Sequence, residues 1–341
     1  MPSPLSPYTQ MLTYSEERSI LDDVQEGVEI AMHREDYHSD AIDPIKVNKL
    51  AYFAIREFDI GVTFGWYKYG PAPVDTATHQ GSKGPSTELE PKPEADITAS
   101  DRSRVPSERN NHPSPEEFAH FFKNFDEFHA MLTMETKEYL EEFYEQHAPE
   151  TYKPLYLAGI RFQRKIDQIG DNPESIQNSS ISYHSVSHLA NEVFGELLKL
   201  PQLNEAVTPF KDYTDLLKDI IASIESRGDL EERVEQFIND FVSFFYTSTW
   251  KYVALFISRD TVRGDNANQL LDSIDDKIGE LRSRYNGDLG AWQEHSRLFG
   301  LPPRIDRYVD DMEYDDETES ENEVTEPWTH LSSEVVHGDT S

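Results

Sequence analysis

The sequence predicts an all-α fold, a multi-helix bundle that carries one short extended turn near residues 60–71 and a disordered insertion. Apolar residues recur at three- to four-residue spacing in segment after segment, and the gaps between those segments are rich in Pro, Gly, Asn and Asp. One stretch breaks the helical period: Val62, Phe64 and Trp66 alternate with Thr63, Gly65 and Tyr67. One other stretch has no apolar period at all, from about 74 to 113.

Taken in order, Thr13-x-x-Glu16 has the form of a capping box, and Ile20, Leu21, Val24, Val28 and Ala31 form the apolar stripe of a first helix. Asp43 suits an N-cap, and Pro44 suits the first helical position because its missing N–H would be unpaired there anyway. Val47, Leu50, Ala51, Ala54 and Phe58 then mark one buried face, which should pack on the first helix. After Asp59-Ile60-Gly61 the alternating stretch leads into Lys68-Tyr69-Gly70-Pro71, where the Gly-Pro pair fixes a sharp change of direction. A cation and the rings of Trp66, Tyr67 and Tyr69 are thereby crowded into one corner.

From 74 to 113 the composition turns to Pro, Ser, Thr, Gly and charge, which cannot repay its own ordering entropy. Helix restarts at Ser114-Pro115-Glu116-Glu117, an N-cap, an N1 proline and a capping-box glutamate together. FAHFFKNFDEFHAML, KEYLEEFYEQH, YLAGIRFQRKIDQI, HLANEVFGELLKL, YTDLLKDIIASI, RVEQFINDFVSFFYTSTWKYVALFI and NQLLDSIDDKIGELRSRY follow, each helix-periodic. The expected organisation is a recognition domain over 1–73, a linker over 74–113, a helical domain over 114–303 and an acidic disordered tail over 304–341, in which Trp328 and Leu331 could serve as a short linear anchor.

Two segments of the corner resemble a known family. KLAYFA, followed about a dozen residues later by an aromatic-Lys-Tyr-Gly-Pro turn, is similar to the Panacea antitoxin domain, a mostly helical family with a K-L-x-Y-F-A-like helix and a W-K-Y-G-P-like turn. The resemblance covers about 43–73 and falls on Lys49, Leu50, Tyr52, Phe53, Ala54, Lys68, Tyr69, Gly70 and Pro71. It implies an antitoxin that neutralises a partner toxin by direct protein contact. The chain departs from the family where the polar insertion follows the turn. On this reading the partner-binding residues are Lys49, Tyr52, Phe53, Trp66, Lys68, Tyr69, Gly70 and Pro71, and the partner is a protein encoded next to this one. The plain alternative is that the corner only packs a small core, with Lys68 solvated and Tyr69 as filler.

Composition bounds the setting. Against 31 Lys plus Arg stand 65 Asp plus Glu, a formal charge of −34 spread along the chain. Such self-repulsion opposes compaction in dilute buffer and is screened in concentrated salt, so the expected setting is a salt-accumulating cytoplasm, as in haloarchaeal proteins, which this acidic composition resembles. An acidic nucleic-acid mimic is the rival reading, but it would concentrate its charge on one face. Direct nucleic-acid binding is disfavoured because it needs a basic footprint, and the chain has only 31 Lys plus Arg against 65 Asp plus Glu.

The absence of cysteine removes disulfides, thiolate metal sites and thiol nucleophiles. MPSPLSPYTQ lacks a signal-peptide pattern, and no apolar run reaches the length of a membrane span, so a soluble cytoplasmic protein is expected. FVSFFYTSTWKYVALFI comes closest and reads as a buried core helix. No nucleotide-binding loop or nucleophile elbow occurs, and no cofactor is expected. The enzymatic alternative is a metal-dependent hydrolase or nuclease using His184, His188 and Glu192, spaced by four on one helix face, with Arg282, Arg284 and His295 as a looser nuclease trio.

Overall fold

The computed structural model describes residues 11–38, 41–73, 112–178, 181–227 and 230–301. The expected insertion, apart from His112 and Pro113, and the expected tail lie outside the described residues, as do Trp328 and Leu331. The fold is all-α apart from one small hairpin.

Helix α1 spans Tyr14–Arg34 and starts as its sequence dictates: the Glu16 backbone N–H donates to Thr13 Oγ1 at 3.4 Å, and the Thr13 N–H donates to Glu16 Oε2 at 2.7 Å. Helix α2, Pro44–Glu57, is capped by Asp43, which accepts from the Lys46 N–H at 2.9 Å. Strands β1 (Phe64–Tyr67) and β2 (Gly70–Pro73) pair antiparallel, with Tyr67 opposite Gly70 and Phe64 opposite Pro73.

Helix α3, Pro115–Lys123, opens on the Ser114/Glu117 capping box and packs along α1. Helices α4 (Asp126–Thr133), α5 (Thr136–His147) and α6 (Lys153–Asp171) follow, then a single turn α7 (Glu174–Gln177), α8 (Tyr183–Leu198) and α9 (Asn204–Glu225). Helix α10 (Glu232–Phe244) passes through a wide π-helical turn, Phe245–Thr249, directly into α11 (Trp250–Thr261). The long α12, Ala267–Leu298, closes the described chain.

Buried residues from Ile20 to Leu301 form one continuous core, to which α1, α2 and the hairpin contribute alongside the later helices. The packing of α1 on α3 and of β1 on α11 therefore crosses the boundary that the sequence suggests at 74–113. No helix among the described residues is long and apolar enough to cross a membrane; the apolar stretch around 241–257 is instead divided by the π turn and buried.

Candidate functional site

The corner at 43–73 is built by α2, the hairpin and three later helices. The Phe64 N–H donates to the Arg263 carbonyl at 2.9 Å and the Arg263 N–H returns the bond at 2.9 Å, so β1 is held on its outer edge as well as by β2. The Trp66 N–H donates to Thr261 Oγ1 at 2.9 Å. Tyr156 on α6 donates its hydroxyl to the Tyr67 carbonyl at 2.7 Å, and Trp250 on α11 donates Nε1 to the Lys68 carbonyl at 3.0 Å. Both of these carbonyls thus meet a donor, as burial of a backbone polar group requires.

The rings interlock above this scaffold. Trp66 stacks on Phe143 with centroids 5.8 Å apart and meets Tyr52 and Tyr156 edge-on at 6.1 and 5.6 Å. Phe53 lies against Phe125, Phe143 and His147. Gly70 supplies the left-handed backbone of the turn at φ 95, and a Cβ there would sit 3.2 Å from both Lys49 Cε and Phe143 Cε1. Lys49 runs beneath the turn and is only 1 % exposed; its ammonium donates to the Pro71 carbonyl at 3.3 Å and lies 5.5 Å from the centre of the Phe143 ring. Burial drives Lys49 down to about 7, with distant help for its charge from Asp43.

Lys68 is not solvated, although the core-packing alternative expects it to be. It is 8 % exposed, with Nζ 5.7 and 5.9 Å from the ring centres of Tyr67 and Tyr69, and burial together with the neighbouring Lys251 ammonium lowers it to about 8. Of the eight residues expected to meet a partner, Lys49, Tyr52, Phe53, Trp66, Lys68, Gly70 and Pro71 are buried, and Tyr69 keeps partial exposure. An open array of rings is therefore not what the corner presents. The reason is physical: the hairpin turns these side chains inward, onto Phe143, Tyr156 and Trp250. Those three covering residues sit inside ordinary helix-periodic stretches, and no local signal in the sequence marks them.

The enzymatic candidates do not converge. His188 is 73 % exposed, with Nδ1 3.6 Å from Glu192 Oε1, while the Arg161 guanidinium reaches the same Glu192 at 3.6 Å; a cation beside that carboxylate opposes a second one as metal. His184 is exposed on the same helix, and no group of three or more His, Cys, Asp or Glu among the described residues is placed to hold a metal ion. Arg282 is held by Glu205, Arg284 lies 3.8 Å from both Glu280 and Asp288, and His295 is about 16 Å further along α12 beside Trp292. An open groove of about 380 Å³ between α5 and α6 is lined by Glu138, Glu141, Glu142, Glu145, Leu157, Arg161 and Arg164, with Arg164 paired to Glu141 at 2.5 Å.

A family model described as a domain of unknown function (DUF8098) matches residues 9–329. The chain belongs to the DUF8098 family. No curated protein and no solved structure matches it. The DUF8098 match takes in α1, the corner and all the later helices, so the hairpin and the residues that cover it fall within one family domain.

Proposed function

We propose that this chain is an antitoxin-like interaction protein that neutralises a partner protein by direct binding, in a salt-accumulating cytoplasm. The observation that carries the reading is the Lys68–Tyr69 turn: a partly exposed tyrosine beside a shielded ammonium, held on a hairpin whose carbonyls, strand edge and glycine are all fixed by the helices behind it. A ring immobilised before contact loses little entropy on binding, which is how a small surface gains affinity. The resemblance of KLAYFA and the following turn to Panacea antitoxins supports the same direction. The contact set is narrower than the sequence alone suggests, with Tyr69 and the rim of the turn meeting the partner and Lys49, Tyr52, Phe53 and Trp66 bracing it from inside.

The test is co-expression with the adjacent small reading frame, scored by growth. A product that is toxic alone and harmless alongside this chain is expected, with protection lost when Tyr69→Ala and Lys68→Glu are combined and the far-UV circular dichroism of the double variant stays helical. Unchanged protection by a folded double variant removes the reading.

A further inference from the structure

The hairpin turn meets the α11–α12 pair at a place where Lys68, Lys251, Lys277 and Arg284 gather, with the carboxylates of Glu280 and Asp288 beside Arg284. Trp250 ties the turn to the start of α11 through the Lys68 carbonyl, and Lys251 is the next residue. Helices α11 and α12 run antiparallel, with Thr249 Oγ1 and Tyr285 Oη 2.8 Å apart at one end and Arg259 Nη1 3.4 Å from Asp275 Oδ1 at the other. That register sets Lys251 alongside Arg284, with Lys277 two turns away on the same helix.

Neither Lys68 nor Lys251 makes a hydrogen bond or an ion pair with any described residue. Lys251 is held down by burial and then by Arg284, with Glu280 opposing; Lys277 is held down by burial and then by Lys251, again with Glu280 opposing. Shielded like charges placed together destabilise a fold unless something answers them. Scarcity of acid is not the cause, since the chain carries 65 Asp and Glu. The π turn Phe245–Thr249 lies immediately before Lys251, and such insertions recur at functional sites.

We propose that the junction of the hairpin turn with the α11–α12 pair is an anion site for a phosphate-bearing small ligand, which bridges Lys68 and Lys251 while Arg284 and Lys277 stand at its rim. A carboxylate would answer one ammonium. A phosphate monoester, with a charge of about −1.5 to −2 at neutral pH and three acceptor oxygens, answers both. A nucleic-acid backbone presents the same chemistry, but the overall charge of −34 repels a long polyanion far more than a small one.

This goes beyond the partner-binding reading and shares only Lys68 with it, so the variants are made elsewhere. Isothermal titration at fixed ionic strength with inorganic phosphate, pyrophosphate and glucose 6-phosphate separates a free ion from an ester as the source. One saturable site per chain is expected for at least one of them, weakened about tenfold or more by Lys251→Met, the scale of one lost charge-assisted contact, and retained by Lys251→Arg. Lys277→Met, at a half-buried position, should weaken it in the same direction and serves if Lys251→Met does not fold. Lys199→Met, which removes an exposed lysine paired with Glu196, should leave it unchanged. No saturable binding of any of the three by the unaltered chain, or an equal loss in Lys199→Met, overturns the proposal. Partner protection is read with Lys68 and Tyr69 changed and anion binding with Lys251 and Lys277 changed, so each reading can fail alone.

Discussion

At the scale of single residues, Lys49 is where pH should act most strongly. Its folded value of about 7 lies below the ordinary 10.5, so between those limits the unfolded chain binds a proton that the folded chain does not. Stability therefore rises with pH over that window, and the buried-charge cost is fully present below it. Denaturant unfolding at pH 7 and at about pH 9.5 should differ by on the order of 3 kcal/mol from this group, with Lys68 adding in the same sense. Lys49→Met should flatten the slope and raise stability at pH 7, since an apolar chain of similar volume replaces a desolvated charge. A slope unchanged in that variant would mean the ammonium finds more water than its 1 % exposure allows. The comparison is kept below pH 10 because burial holds the hydroxyls of Tyr144, Tyr156 and Tyr213 protonated, which costs stability once the unfolded tyrosines ionise.

At the scale of elements, the hairpin depends on donors that come from other elements. Trp250→Phe removes the Nε1 donor and leaves the Lys68 carbonyl buried without it, so a loss of about 1–3 kcal/mol is expected, read as a lower denaturant midpoint with unchanged slope. A neutral result would show that water reaches that carbonyl. Helix starts were legible where a side chain closes its own turn: Thr13 with Glu16, Asp43 before Pro44, Ser114 with Glu117 are all local and all occur in the structure. The first strand and its turn too could be read from the alternation at 62–67 and from Gly70, but the second strand, Gly70–Pro73, could not. A packed corner was one of the two readings open, but the residues that cover it could not be read, because Phe143, Tyr156 and Trp250 reach it from far along the chain. The π turn is equally silent, since one extra residue in the largely apolar run at 241–257 shifts the period without breaking it. The segment YTDLLKDIIASI is only part of its helix: α9 begins at Asn204 and carries Pro209 inside, with the proline carbonyl accepting from Tyr285 at 2.7 Å.

At the scale of the molecule, charge and order of assembly dominate. With a formal −34 against one continuous core, folding should strengthen steeply as KCl rises from about 0.1 to 2 M and the screening length falls from about 10 Å to a few ångströms. Melting temperature followed by circular dichroism checks this, and a flat response would remove the salt-accumulating setting from the proposal. The clasp between Trp250 and the Lys68 carbonyl spans 182 positions. On a ribosome adding roughly 5–20 residues per second, the hairpin emerges about 10–40 s before the indole that caps it. During that interval Trp66 and its aromatic neighbours are sticky, uncovered surface on a nascent chain, which makes this stretch the natural point of engagement for a chaperone and the place from which a prematurely truncated chain would aggregate.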